Sequence, residues 1–451
     1  MNLVKGNLYP LLKLALPLAA TGLVQAGVFF FETIFLAHLG PTILAAGALV
    51  SWLTGTFAVI IFGVLSSINV LISHKFGAKD YQGIAEVIRD GIWLTFILVI
   101  PSMFLFWHMA TIFLWLGQKK DIALLASSYL HALTFGILPN FIVTALLEII
   151  TGLGQTKLVF KLSLVSVCLT LFFSFALIFG KFGFPALGIA GAGWGLTTSS
   201  WLTMLILVSY LIINQKNKLY FKNLLTFSKP VYLFELIRVG APMGFMYCIE
   251  VGFFFALTLI MGLFSSQMLA ANQVSLQYLG ALINIIFSLA QAITVRMGHL
   301  LGAGKKQAAE HAAYTGVVIS FIFMFFVALI YWLFPTFLIS IDFNLQETQN
   351  LTIIHYAIEF FSLCALFQII EAVRIALFGA LRSLKDTHFT LLISIISFWF
   401  IALPLGYSLA TYFRMEGIGL WWGMIIGSVV SVILLFKRFK AKMANYYTYS
   451  V

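Results

Sequence analysis

Residues 17–78 read PLAATGLVQAGVFFFETIFLAHLGPTILAAGALVSWLTGTFAVIIFGVLSSINVLISHKFGA, and residues 242–303 read PMGFMYCIEVGFFFALTLIMGLFSSQMLAANQVSLQYLGALINIIFSLAQAITVRMGHLLGA. Slid by 225 positions, the two stretches align without a gap, and 17 of the 62 pairs are identical. Pro17 falls on Pro242, Gly27 on Gly252, Thr33 on Thr258, Gly55 on Gly280, His74 on His299 and Gly77-Ala78 on Gly302-Ala303. Apolar segments resemble one another by composition, but ungapped coincidences of Pro, Gly, Thr and His do not follow from composition. The chain is therefore expected to be two copies of one unit in the same orientation, with a cleft between them. Weaker echoes continue downstream: Gly191-Ala192-Gly193-Trp194-Gly195 against Gly419-Leu420-Trp421-Trp422-Gly423, and Gly152-Leu153-Gly154-Gln155-Thr156 against Ser383-Leu384-Lys385-Asp386-Thr387.

Outward from the repeat, the whole chain is apolar. Of 451 residues, 62% are hydrophobic and 9% charged, with 46 Phe. Soluble domains run near ~25% charged, and one globule cannot hide this much apolar surface. The solvent is lipid, which excludes a cytosolic enzyme, a secreted disulfide scaffold and a disordered interaction protein. Cys168, Cys248 and Cys364 have no metal-ligand or disulfide spacing and read as small core hydrophobes.

Stretches of ~20 apolar residues can cross a hydrocarbon layer as helices. Twelve are present, at 14–38, 47–72, 91–116, 128–151, 160–180, 188–213, 238–262, 273–296, 313–337, 353–379, 388–410 and 417–436. The first, preceded by Lys5 and Lys13, has the outline of a signal peptide, but its part in the repeat argues that it is retained. Of the 26 Lys and Arg, 21 fall on the side of the termini, four on the other (Lys119, Lys120, Lys181 and Arg414), and Arg374 lies inside a span. The bias places both termini in the cytoplasm. The excess of basic residues accordingly reads as orientation and lipid anchoring, with no nucleic-acid partner. The expected division is an N-terminal six-helix lobe at 1–213, a linker at 214–237 and a C-terminal lobe with a basic tail at 238–451.

Five acids fall within spans: Glu32, Glu148, Glu250, Glu359 and Glu371. A charge at mid-bilayer costs ~2.5–3.5 kcal/mol on insertion scales, so such residues are expected to face a cleft or a partner. Glu250, Glu32 and Glu371 lie deep. Glu148 and Glu359 lie nearer span ends, where solvated or snorkelling positions are the ordinary expectation. Under the 225 offset Glu250 falls on Gln25, seven residues from Glu32 and so on the same helix face. That face is expected to line the cleft. Met243, Met246, Glu250 and Phe253 form a wall of thioethers, a ring and a carboxylate suited to a lipophilic cation. Glu371 and Arg374, at i and i+3, form either a fixed pair or a switch opened by an arriving ion. His355 and Glu359 at i and i+4 lack a third metal ligand. No phosphate loop, prenyl-diphosphate motif or Ser/His/Asp set is present, so the chain is read as a transporter and not an enzyme. Without an ATPase, pumping draws on an ion gradient; one net charge moved through ~100 mV sustains a roughly 50-fold substrate gradient.

Phe31-Glu32-Thr33-Ile34-Phe35, His38-Leu39-Gly40, Gly77-Ala78-Lys79, Gly302-Ala303-Gly304, Glu250, Gln368-Ile369-Ile370-Glu371-Ala372-Val373 and Gly379-Ala380-Leu381-Arg382 together resemble the multidrug and toxic compound extrusion (MATE) family over nearly the whole chain. The resemblance implies an all-α integral membrane protein whose twelve transmembrane helices form two pseudo-symmetric six-helix bundles, arranged as a V about a central cleft. It implies a monomeric secondary antiporter of the bacterial inner membrane, exporting lipophilic, mostly cationic compounds in exchange for protons or sodium, with no cofactor beyond that ion. Glu32, Glu250 and Glu371 map onto the family's coupling acids, with sodium, if used, at Glu250 and Glu371. Gln25, Met243, Met246, Glu250, Phe253, Gln368 and Arg374 are the expected substrate-cleft residues. A flippase for lipid-linked saccharides shares this architecture but would need a cleft rich in Arg and Lys, where only Arg374 qualifies.

Overall fold

The structure is a computed structural model that describes residues 2–214, 220, 229–344, 347 and 350–448. Among the described residues there are no strands, and twelve helices are long and apolar enough to cross a membrane. In chain order they are α1 (Asn2–Ala37), α2 (Pro41–Gly77), α3 (Tyr81–Trp115), α4 (Lys120–Gly152), α5 (Thr156–Phe179), α6 (Ile189–Ile213), α7 (Leu233–Phe264), α8 (Ser266–Gly302), α9 (Lys306–Leu333), α10 (Leu351–Ser383), α11 (Thr387–Thr411) and α12 (Glu416–Thr448). A short helix, Pro335–Asp342, follows α9. The linker expected at 214–237 lies largely outside the described residues.

Most helices outrun the apolar spans expected from the sequence. α2 has 37 residues, about 55 Å at 1.5 Å per residue, against a hydrocarbon layer of ~30 Å. Hydropathy marks only the part of a helix that cannot face water; the backbone pattern continues past it. The span expected at 313–337 instead stops at Leu333, because Pro335 opens the short helix at its first turn. α11 carries an eight-residue π-helical segment, Ile395–Ala402, which no hydropathy pattern announces.

Four helix-to-helix turns, in two pairs related by the repeat, are built alike. After α2, Ala78, Lys79 and Asp80 donate their N–H groups to His74, Phe76 and Lys75; after α8, Ala303, Gly304 and Lys305 donate to His299, Leu301 and Leu300. The same pattern follows α4 at Leu153, Gly154 and Gln155, and α10 at Leu384, Lys385 and Asp386. The middle residue is left-handed each time: Lys79 (φ 58°), Gly304 (φ 73°), Gly154 (φ 78°) and Lys385 (φ 58°). These are Schellman-like ends, which satisfy the last carbonyls of a helix. Asp80 then caps α3 by accepting from the Gly83 amide at 2.8 Å and pairs with Lys75 at 2.8 Å. The Lys75 ammonium, and then the Gly83 amide, hold the Asp80 carboxyl below the usual carboxylate range. The carboxylate therefore adds stability at neutral pH that is lost as pH falls through its lowered value.

The chain forms two compact units, Ala20–Gly244 (the N-terminal unit) and Met1–Ala19 with Phe245–Val451 (the C-terminal unit). The division points, 19/20 and 244/245, are 225 positions apart, the offset of the sequence repeat. They fall inside α1 and α7. In the C-terminal unit, Leu11 and Ala15 of α1 are buried with Leu289, Phe378 and Phe439. In the N-terminal unit, Gly240 and Gly244 of α7 lie against Val64 and Ile60 of α2.

Within the N-terminal unit, Gly191 and Gly195 of α6 meet the backbone of α5 at Leu177 and Ser174. Within the C-terminal unit, Gly419 and Gly423 of α12 meet the backbone of α11 at Ala410 and Gly406. The weak glycine echo in the sequence thus marks the same close helix contact in both units. Cys364 is buried, whereas Cys168 and Cys248 are exposed. A thiol that small and apolar sits as well against acyl chains as in a core.

Candidate ion and substrate sites of the two units

In the C-terminal unit, α10 carries Glu371 and Arg374 one turn apart, and α7 and α12 bring further groups to them. The Arg374 Nε donates to Glu371 Oε2 at 2.8 Å and Nη2 donates to Glu371 Oε1, so this pair is bidentate. The remaining arm, Nη1, donates to Glu250 Oε1 at 2.7 Å. Ser394 of α11 donates to Glu250 Oε1 at 3.0 Å, and Ser428 of α12 donates to Glu371 Oε2 at 3.2 Å. Phe378 and Phe398 place their rings 4.5 and 4.7 Å from the guanidinium carbon. Arg374 is 1% exposed, Glu371 4% and Glu250 7%.

The local reasons are separable. Glu371 and Arg374 face one way because i and i+3 share a helix face. Ser394 and Phe398 both reach the cluster from α11 at the start of its π segment, where the widened turn changes the register of the side chains. Such segments recur at functional sites. Trp399, in the same segment, donates its indole N–H to the Ile249 carbonyl at 3.0 Å and so ties α11 to α7 beside Glu250.

The N-terminal unit holds a different arrangement. Glu32 on α1 is 2% exposed. Ser174 of α5 donates to Glu32 Oε1 at 3.4 Å, and the buried Tyr129 of α4 interacts with both Glu32 and Ser51. Among the described residues, Glu32 has no ion pair with a Lys, Arg or His. Its repeat equivalent is Leu257, and the equivalent of Glu250, Gln25, is exposed. The two units therefore share a backbone plan but carry these acids at positions that are not repeat equivalents.

Other expected site residues are placed as follows. Met243 belongs to the N-terminal unit, where Ser66 points its hydroxyl at the thioether from 3.8 Å. Met246 and Phe253 are buried in the C-terminal unit, and Phe253 lies 4.8 Å from Phe398, ring centre to ring centre. Gln368, one turn from Glu371, is buried, and among the described residues neither end of its amide is hydrogen-bonded. Glu148 corrects the expectation of a solvated span end: it is 3% exposed and accepts from Asn69 Nδ2 at 3.0 Å across α2 and α4. The repeat partner of Asn69, Thr294, donates to the Gly379 carbonyl at 2.8 Å across α8 and α10, the same link made without charge. His355 and Glu359 are 3.6 Å apart at an exposed position, and no group of three metal-ligating residues occurs among the described residues.

Sequence reasoning paired Arg374 with Glu371 but missed Glu250 as its second partner, 124 positions away. It also missed Ser394, Ser428, Phe378, Phe398, Tyr129 and Ser174. A single Ser or Phe in an apolar run carries no signal of its own; only helix packing selects it.

The chain is similar to known proteins over its full length. The MatE family model matches residues 17–176 and 242–408. A probable multidrug resistance protein NorM from Brucella suis is 30% identical over 439 residues, covering 96% of this chain and 93% of that protein. One from Mesorhizobium japonicum is 31% identical over 441 residues, covering 97% and 94%. Among solved structures, the eukaryotic MATE transporter AtDTX14 superposes with a TM-score of 0.83 at 23% identity, covering 98% of each chain. A MATE in the bent conformation gives 0.89 at 18% identity, covering 100% of this chain and 98% of that one. These structures share the fold, and with the family match they establish that the chain belongs to the MatE family of membrane transporters.

Proposed function

We propose that the chain is a secondary antiporter of the bacterial inner membrane, exporting lipophilic, mostly cationic compounds in exchange for protons. It works as a monomer with both termini in the cytoplasm, and Glu32 is the residue through which the coupling proton acts. The observation that carries the proton assignment is the contrast between the two sets of acids. Glu250 and Glu371 already hold a guanidinium, whereas Glu32 is buried among hydroxyls with no basic partner among the described residues. A carboxylate buried without a positive partner is the costliest to leave ionised, so a proton or a cationic substrate gains most by binding there. Differential binding of that kind is what biases a transporter between its two states.

Support for the compound class comes from the relatives named as multidrug resistance proteins. The test is dye and drug efflux in a sensitive host. Glu32→Gln is expected to abolish efflux while expression stays intact. In vesicles, wild-type efflux is expected to collapse with a protonophore and to be indifferent to removal of sodium. Full resistance in Glu32→Gln, or efflux that requires sodium and survives the protonophore, overturns the reading.

A further inference from the structure

With the guanidinium taken away, the centre of the C-terminal unit is an oxygen cage. Glu250 Oε1, both oxygens of Glu371 and the hydroxyls of Ser394 and Ser428 converge from α7, α10, α11 and α12 on one buried place. Two carboxylates and two hydroxyls, with no nitrogen or sulfur among them, are the donor class of hard cations. The place is filled by Arg374 itself. Its three nitrogens meet both carboxylates, and Phe378 and Phe398 flank the guanidinium.

We propose that Arg374 is a resident cation: it occupies the position an external metal ion would take between Glu250 and Glu371, and so makes the C-terminal unit of this chain closed to sodium. A guanidinium stays charged at any working pH, so the position is not vacated by loss of a proton. It is also tethered, so it sits there without the loss of translational freedom that a diffusing ion must bear. An arriving sodium ion would have to displace three charge-assisted hydrogen bonds at once and leave a buried guanidinium without partners. Arg374 is thereby a specificity-determining residue. The proposal rests on the exchange reading only for its consequence in transport; occupancy of the cage belongs to the protein itself.

The test is made on purified protein in detergent at about pH 8, melted in sodium chloride and in choline chloride at equal ionic strength. Wild type is expected to melt at the same temperature in both salts. Arg374→Ala opens the cage, and its midpoint is expected to rise by about 2 °C or more in sodium when the ion is present at roughly tenfold its Kd. Adding Glu371→Gln to that variant is expected to remove the response. A folded Arg374→Ala protein with no sodium response overturns the proposal. If that variant fails to fold, saturable binding of radioactive sodium by wild type decides. None is expected at the cage, and binding that Glu250→Gln removes overturns the proposal. None of these measurements needs transport, so failure of the exchange reading, seen as efflux indifferent to a protonophore, is told apart from failure of this one.

Discussion

At the scale of single residues, the Arg374 cluster is a balance of desolvation against pairing. Two buried carboxylates would each cost several kcal/mol in a dry interior; one guanidinium with three directed donors offsets both. Removing the shared member strands two charges, whereas removing one acid strands none. Arg374→Ala is accordingly expected to cost about 3–5 kcal/mol. Glu250→Gln is expected to cost only about 1–2 kcal/mol, since the new amide oxygen can still accept from Arg374 and Ser394. The order of melting midpoints in detergent, without sodium, checks this, and the reverse order would mean that the three residues do not act together. Of this cluster the sequence exposed the i,i+3 pair, because helix periodicity reaches that far. It exposed Glu250 as a deep acid but not as the second partner of Arg374, because which helix lies opposite α10 is decided by packing between segments that read alike as apolar runs.

At the scale of elements, the four like turns show how a repeat constrains backbone more tightly than side chains. The left-handed residue is Gly304 in one copy and Lys79 in the other, and Gly154 against Lys385 in the second pair. A non-glycine residue there costs about 1–2 kcal/mol, while glycine loosens the unfolded chain by about 0.4–1 kcal/mol. The first term is larger, so Lys79→Gly is expected to raise stability by about 0.5–1 kcal/mol, seen as a higher melting midpoint with efflux unchanged. Gly195 makes the opposite case. A Cβ there would lie 2.5 Å from the Ser174 Cα, a backbone atom that cannot rotate away. Gly195→Ala is therefore expected to push α6 off α5 beside the Ser174 hydroxyl that serves Glu32, lowering stability by about 1–3 kcal/mol, seen as a lower midpoint, and lowering efflux. Unchanged efflux and midpoint would show that this close contact is dispensable.

At the scale of the whole molecule, hydropathy made the twelve helices legible, and the repeat showed which stretches share a backbone plan, because matched Pro, Gly and His positions report it. The assignment of helix ends to units was not legible. Hydropathy separates lipid from water, and the first turns of α1 are as apolar whichever unit they join. Residues 1–19 belong to the C-terminal unit and 233–244 to the N-terminal one, so each half of the gene encodes part of the other half's unit. A chain divided after residue 220 consequently yields two fragments, neither of which can complete its own unit. The fragment from 221 onward would lack Leu11, which is fully buried among Leu289, Phe378 and Phe439; the fragment ending at 220 would lack Gly240 and Gly244, which lie on Val64 and Ile60. Loss of one buried leucine alone costs about 2–5 kcal/mol, comparable to a large share of the stability of an ordinary domain. Each fragment expressed alone is expected to be degraded, while the two expressed together reassemble, accumulate and restore drug resistance. Fragment abundance and resistance in the same host measure this, and a C-terminal fragment as abundant alone as in the pair would mean that residues 1–19 contribute nothing to the unit they join.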